Sequence, residues 1–119
     1  MKILITGANG FVGSNLVKRL VEDGINTDVI VRPQSNINSL SDVKKEITEY
    51  THDGTSECMM QILKKSNPDV VCHLAAISNY NHTIDDIEPM IKSNILFGTQ
   101  LVECMLENKI YNLINTGTY

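Results

Sequence analysis

TGANGFVG, residues 6–13, sits between the apolar run Ile3-Leu4-Ile5 and a stretch in which Val12, Leu16 and Leu20, with Val17 and Val21, recur at helical spacing. Three glycines at intervals of three therefore stand where a strand over residues 2–6 hands over to a helix that ends near Asp23-Gly24. A chain turning from strand into helix presents unpaired backbone N–H groups and the positive end of the helix dipole, which together form a seat for an anion. Gly7 permits the tight turn, Gly10 lets a pyrophosphate approach the backbone, and Gly13 lets the helix pack close to the strand. The run Asp28-Val29-Ile30-Val31, rich in β-branched residues and stopping at Arg32-Pro33, completes a strand-helix-strand unit by residue 31.

Downstream, residues 34–42 are polar and Ser/Asn-rich, a loop with a turn of helix, and residues 46–51 form a weaker third strand. Met59, Ile62 and Leu63 make a short helical face that Asn67-Pro68 ends. The run Val70 to Ala76 is almost free of polar side chains, as expected of a parallel strand covered on both faces. A polar loop over residues 78–86 precedes a long helix on which Ile91, Ile95, Gly98, Val102 and Met105 keep helical spacing, and Ile110 to Ile114 reads as a fifth strand. Strands alternating with helices imply an α/β fold with a doubly wound parallel sheet, a three-layer sandwich of strand order 3-2-1-4-5. One domain over residues 1–119 is expected, with no internal repeat or linker.

With 119 residues, 42% hydrophobic and 20% charged, the composition is that of an ordinary globular chain. No apolar run approaches a bilayer span and no secretory signal follows Met1-Lys2, so a cytoplasmic chain without membrane contact is expected. A net charge of -4, with basic residues only in the pairs Lys18-Arg19, Lys44-Lys45 and Lys64-Lys65, argues against a nucleic-acid partner. Cys58, Cys72 and Cys104 share no CxxC spacing and suit reduced, mostly buried thiols, and Asp85-Asp86-Glu88 lacks complementary ligands, so no metal site is expected. His73, inside an apolar strand, reads as a hydrogen-bonded core residue, and His52 and His82 as residues of solvated loops.

With Thr6 in front, the Gly-x-x-Gly-x-x-Gly spacing of TGANGFVG resembles the nucleotide loop of the extended short-chain dehydrogenase/reductase family, the NAD(P)-dependent sugar epimerases, dehydratases and reductases. HLAA at 73–76 resembles that family's fourth-strand motif beside the nicotinamide ribose, and NILFGTQLVECM at 94–105 its N-x-x-G-T helix. HDG at 52–54 puts Asp53 where the family has an Asp near the adenine. The resemblance covers essentially the whole chain. It implies a Rossmann-like domain whose cofactor contacts come from Gly7, Asn9, Gly10, Phe11, Val12, Gly13, Asp53, Leu74, Ala75, Ala76 and Asn94. Thr118 falls where the family has a Ser or Thr that hydrogen-bonds the substrate at the reacting carbon, a role of positioning and polarisation. NTGTY at 115–119 is similar to the abequose and paratose synthase branch, which reduces a 4-keto nucleotide sugar.

An acidic residue after the second strand normally accepts hydrogen bonds from the adenosine ribose hydroxyls and selects NAD. This chain has Val31-Arg32-Pro33 there. A guanidinium cannot accept those bonds but can pair with a 2′-phosphate, to which Ser35 and Asn36 can add donors, so NADP(H) is favoured over NAD(H). That preference favours a keto-sugar reductase, with a nucleotide sugar as the substrate of the intact enzyme. The family's acid/base pair is Tyr-x-x-x-Lys, whereas Tyr50, Tyr80 and Tyr111 are followed four residues on by Gly54, Ile84 and Asn115. The chain is thus expected to be an amino-terminal fragment, cut after the fifth strand, lacking the substrate lobe and inactive alone. Its fifth strand is expected to be an unprotected edge that drives self-association, and hence a homo-oligomer, or disorder near the C-terminus. The missing pair also leaves open a non-catalytic NADP(H)-sensing or regulatory domain.

Overall fold

The computed structural model describes residues 1–117. In chain order the elements are β1 (Lys2–Thr6), α1 (Phe11–Glu22), β2 (Asn26–Val31), β3 (Ile47–Thr51), α2 (Ser56–Ser66), β4 (Val70–His73), α3 (Ile87–Ile91), α4 (Phe97–Glu107) and β5 (Leu113–Asn115). All the strands pair in parallel, in the order β3-β2-β1-β4-β5. Along one row of the register, Tyr50, Ile30, Thr6, His73 and Asn115 stand side by side, so the carboxyl ends of the strands finish level. Strand order reverses at β1, and in such a sheet the crevice at that switch point is where ligands bind.

Alternation along each strand sends neighbouring side chains to opposite faces, and each face carries its own core. Leu4, Ile30 and Val71 pack with Met59, Ile62 and Leu63 of α2 and with Leu101, Cys104 and Met105 of α4. Ile5, Val29, Val31 and Cys72 pack on the other face with Val17 and Leu20 of α1 and with Leu40 from a 3₁₀ turn over Asn38–Val43. Burying each such aliphatic side chain contributes roughly 1.5–3 kcal/mol before the entropy of ordering it.

Three features depart from the sequence reading. β4 stops at His73, because β1 has ended at Thr6: the Thr6 carbonyl accepts the Leu74 N–H (3.2 Å), and its hydroxyl accepts the N–H groups of both Leu74 and Ala75 (3.2 Å each). Leu74, Ala75 and Ala76 therefore leave the sheet as a loop. The long helix is interrupted by a π turn over Lys92–Leu96. One extra residue in a turn rotates the following face by about 100°. As a result α4 buries Gln100, Leu101, Cys104 and Met105 and leaves Val102 exposed; Ile91, before the turn, and Ile95, within it, are exposed as well. β5 is only three residues long, and Ile110, expected to begin it, lies outside it as a buried core residue. Among the described residues no helix is long and apolar enough to cross a membrane.

Candidate functional site

The glycine turn shapes one wall of the site. Gly7 adopts φ +72°, its carbonyl accepts the Gly10 N–H (3.1 Å), and Gly10 then caps α1 without any side-chain hydrogen bond. The first amides of α1, on Phe11, Val12 and Gly13, thus start a helix with no side-chain acceptor in front of them. A Cβ at Gly7 would stand 2.7 Å from the Ala75 nitrogen, and one at Gly13 only 2.1 Å from the Gly7 carbonyl oxygen. Gly7 therefore serves close approach to the loop after β4 as well as the turn. At Gly10 a Cβ would meet only the Gly7 oxygen, at 3.3 Å, which leaves its outer face open.

The turn borders a cleft of about 930 Å³ at the carboxyl ends of the strands. Of the residues singled out from the sequence, Gly7, Asn9, Gly10, Arg32, Ser35, Asp53, Leu74, Ala75 and Ala76 all line it. Phe11, Val12, Gly13 and Asn94 do not. Phe11 and Val12 are exposed at the start of α1, and Gly13 is buried beneath the turn. Asn94 instead clamps the loop after β4: its Oδ1 accepts the Ile77 N–H and its Nδ2 donates to the Ile77 carbonyl, both at 2.8 Å. Thr118 lies outside the described residues. Elsewhere a smaller depression of about 410 Å³ is lined by Val21, Gly24, Ile25, Asn26 and Glu46.

At the end of β2 the exposed Arg32 opens a tight turn, in which the Arg32 N–H donates to Ser35 Oγ and the Ser35 N–H to the Arg32 carbonyl, each at 3.1 Å. The Ser35 hydroxyl keeps its own proton for another acceptor. Asn9 ties this turn to the glycine loop by donating to the Asn36 carbonyl (3.4 Å). Across the cleft, Asp53 Oδ1 accepts the N–H (2.9 Å) and hydroxyl (2.7 Å) of Thr55, which in turn caps α2 by accepting the Cys58 N–H. Those Thr55 bonds hold the Asp53 carboxyl below its ordinary pKa.

His52 corrects the sequence reading. It follows an edge strand into a polar segment, yet it is 4% exposed, because Phe97 from α4 packs edge-on against its ring at 5.3 Å. Neither ring nitrogen has a hydrogen-bond partner. Burial lowers the His52 pKa, against the smaller opposing pull of the Gln100 side chain and the Asp53 charge. His73 is half-buried and hydrogen-bonded, its Nδ1 2.6 Å from Thr6 Oγ1, and burial lowers its pKa too. The sequence reading also passed over Thr6 as the hub that pins the loop after β4, and over Thr55, Phe97 and Gln100 as cleft residues. A polar Gln100 among the apolar residues of a helix was the available signal: its Nε2 donates to the Gly54 carbonyl (2.8 Å) and holds the far wall. Of the acidic trio, Asp86 is structural, accepting the Thr83 N–H and hydroxyl in a capping box.

Sheet order, glycine turn and a cleft at the switch point define a Rossmann-like α/β chain. The sequence pattern of the NAD dependent epimerase/dehydratase family matches residues 3–119, and the chain belongs to that family. It is 34% identical over 124 residues to dTDP-D-glucose 4,6-dehydratase of Dictyostelium discoideum, covering 98% of this chain and 29% of that protein. With Protein CapI of Staphylococcus aureus it shares 32% over 123 residues, covering 96% of this chain and 36% of that one. Among solved structures, UDP-glucose 4-epimerase of Thermotoga maritima with UDP-glucose superposes with a TM-score of 0.86 at 28% identity, over 99% of this chain and 38% of that one. The chain spans about a third of the length of these relatives.

Proposed function

We propose that residues 1–119 are the dinucleotide-binding part of a nucleotide-sugar epimerase, dehydratase or reductase, that they take NADP(H) in preference to NAD(H), and that the intact protein is a keto-sugar reductase. The observation that carries this reading is the uncapped start of α1 beside a cleft whose β2 edge offers Arg32 and no carboxylate. The residues fit such a cofactor. Gly10, with the amides of Phe11, Val12 and Gly13, would hold the pyrophosphate, and Arg32 with Ser35 the 2′-phosphate. Asp53 would meet the adenine, and Leu74, Ala75 and Ala76 the nicotinamide side. When bound, the nicotinamide supplies hydride transfer. This chain's part is to orient it, through a loop that Thr6 and Asn94 hold in place.

The family's description, NAD dependent, supports a nicotinamide cofactor, and the Thermotoga maritima epimerase, solved with UDP-glucose, supports a nucleotide sugar as partner. Two of the three named relatives are a dehydratase and an epimerase, so the reductase assignment rests on Arg32, through the link between NADPH and net reduction, and on the NTGTY resemblance at 115–119. Thr118 would polarise the sugar at its reacting carbon. With no Tyr-x-x-x-Lys pair in its 119 residues, the chain by itself does not turn over a keto sugar.

Calorimetric titration with NADPH, NADP⁺ and NAD⁺ in parallel tests the reading. The phosphorylated forms should bind more tightly. A charge-assisted hydrogen bond is worth about 1.5–3 kcal/mol, so Arg32→Ala should weaken NADPH by roughly 10- to 100-fold and leave NAD⁺ unchanged. Equal affinity for NAD⁺ and NADP⁺, or an Arg32→Ala variant indistinguishable with NADPH, overturns the preference.

A further inference from the structure

At the cleft wall, the fold brings the Cys58 side chain together with those of the neighbouring His52 and Asp53. One ligand atom each from His52, Asp53 and Cys58 lies within 4.8 Å of the others. His52 is the residue that asks for a partner: it is 4% exposed and neither ring nitrogen meets a partner in hydrogen-bond geometry, the neighbouring Gln100 amide being spent on the Gly54 carbonyl, an arrangement folded proteins rarely leave uncompensated. Its backbone is anchored, N–H to the Val31 carbonyl at 2.9 Å, and its ring is fixed against Phe97. Cys58 Sγ is weakly held, donating to the Thr51 carbonyl at 3.5 Å and lying close to the Asp53 carboxylate, whose charge it favours. Asp53 uses Oδ1 for the two Thr55 bonds, with the Cys58 side chain as a further neighbour of its carboxylate.

We infer that His52, Asp53 and Cys58 form a binding site for a divalent transition-metal cation of the Zn²⁺ or Co²⁺ type. The donor set of imidazole nitrogen, thiolate and one carboxylate oxygen suits these ions and not Mg²⁺ or Ca²⁺, which require mostly oxygen ligands. Metal–ligand bonds of about 2.0–2.3 Å in a tetrahedron place ligand atoms roughly 3.3–3.8 Å apart, so closing the site asks for a shift of about 1 Å. Asp53, the exposed member, can supply that movement while Thr55 continues to orient its other oxygen, as outer-shell partners of metal ligands do. Binding sends the Cys58 thiol proton to solvent, and water completes the coordination. If the dinucleotide reading above also holds, cation and nucleotide compete for Asp53, each weakening the other by the same factor.

The test needs no nucleotide and stands apart from that reading. The 119-residue chain, reduced with a phosphine, is titrated with Co²⁺ and followed by absorption. One equivalent should produce a thiolate-to-cobalt charge-transfer band with tetrahedral d–d bands. Cys58→Ser should abolish the charge-transfer band, and Asp53→Asn and His52→Gln should each weaken affinity by at least about tenfold. Circular dichroism checks the fold of each variant, and the exposed Asp53→Asn keeps the test decisive should loss of the buried ring unfold the chain. No charge-transfer band with excess Co²⁺, a band that survives in Cys58→Ser, or an affinity indifferent to Asp53→Asn overturns the inference.

Discussion

Gly13→Ala sets two physical arguments against each other. Gly13 lies in the first turn of α1, where helix propensity alone favours alanine over glycine by about 1 kcal/mol. The packing says otherwise. The new Cβ would stand 2.1 Å from the Gly7 carbonyl oxygen and 2.8 Å from Ala8 Cα and the Gly7 carbonyl carbon. All three are backbone atoms that no rotamer change can move, so α1 must retreat by about 1 Å from the turn, against a core in which Val17 is fully buried. Overpacking costs about 1–3 kcal/mol, and a clash with backbone belongs to the upper part of that range, about 2–3 kcal/mol, leaving a net loss of about 1–2 kcal/mol after the propensity gain. For a domain of this size that is a fall in Tm of roughly 5–10 °C. Urea unfolding followed by circular dichroism reads the stability, with Gly24→Ala as control. Gly24 has φ +73° but open space around it, so that variant pays only the left-handed backbone cost of about 1–2 kcal/mol. The two variants then separate on function. Gly13→Ala moves the start of α1 and should weaken NADPH binding, whereas Gly24→Ala should not. A Gly13→Ala protein as stable as the parent or more so would refute the close-packing argument.

Two more expectations follow from charge and exposure. Burial holds both His52 and His73 below the ordinary histidine value, so the unfolded chain binds more protons than the folded one once the pH falls below about 6.5. Their contribution is complete above that pH and is lost on acidification, with an uptake of up to about two protons on unfolding, whereas Asp53 and Asp86, held low by hydrogen bonds, lose theirs only below about pH 4. The urea midpoint should fall from about pH 7.5 to 5.5, and a flat or rising midpoint would contradict the buried histidines. Ile84, Ile87, Ile91 and Ile95 recur at intervals of three and four and are all at least half exposed, and the edge strand β5 exposes Ile114 as well. Such a surface should make the chain self-associate, which sedimentation velocity will show as a concentration-dependent coefficient that Ile91→Lys reduces; a monomer at every concentration defeats the expectation.

The parts of this fold that were legible in the sequence are those set by short-range rules. A strand buried on both faces must be apolar throughout, and the runs at Ile3 to Ile5, Val29 to Val31 and Val70 to Cys72 obey that wherever they sit in the chain. The glycine turn was legible for the same reason, since a left-handed Gly7 and a Gly13 against a carbonyl oxygen are demands that almost no other residue meets. What escaped depends on contacts between distant segments. His52 is polar, flanked by Thr51 and Asp53, and only the arrival of Phe97 from α4 buries it. The π turn leaves no mark in the apolar spacing of Ile91 and Ile95; within it stands Asn94, whose two hydrogen bonds reach the Ile77 backbone, seventeen residues away. Both misses fall at the wall of the cleft, which His52 lines together with Lys92, Ser93 and Leu96 of the π turn. A wall built to meet something other than the protein's own core is where local pattern should fail, since its side chains answer to a ligand as well as to packing. The mismatch at His52 and the helix defect over Lys92–Leu96 are therefore arguments for function in their own right, made by residues with no part in the glycine motif.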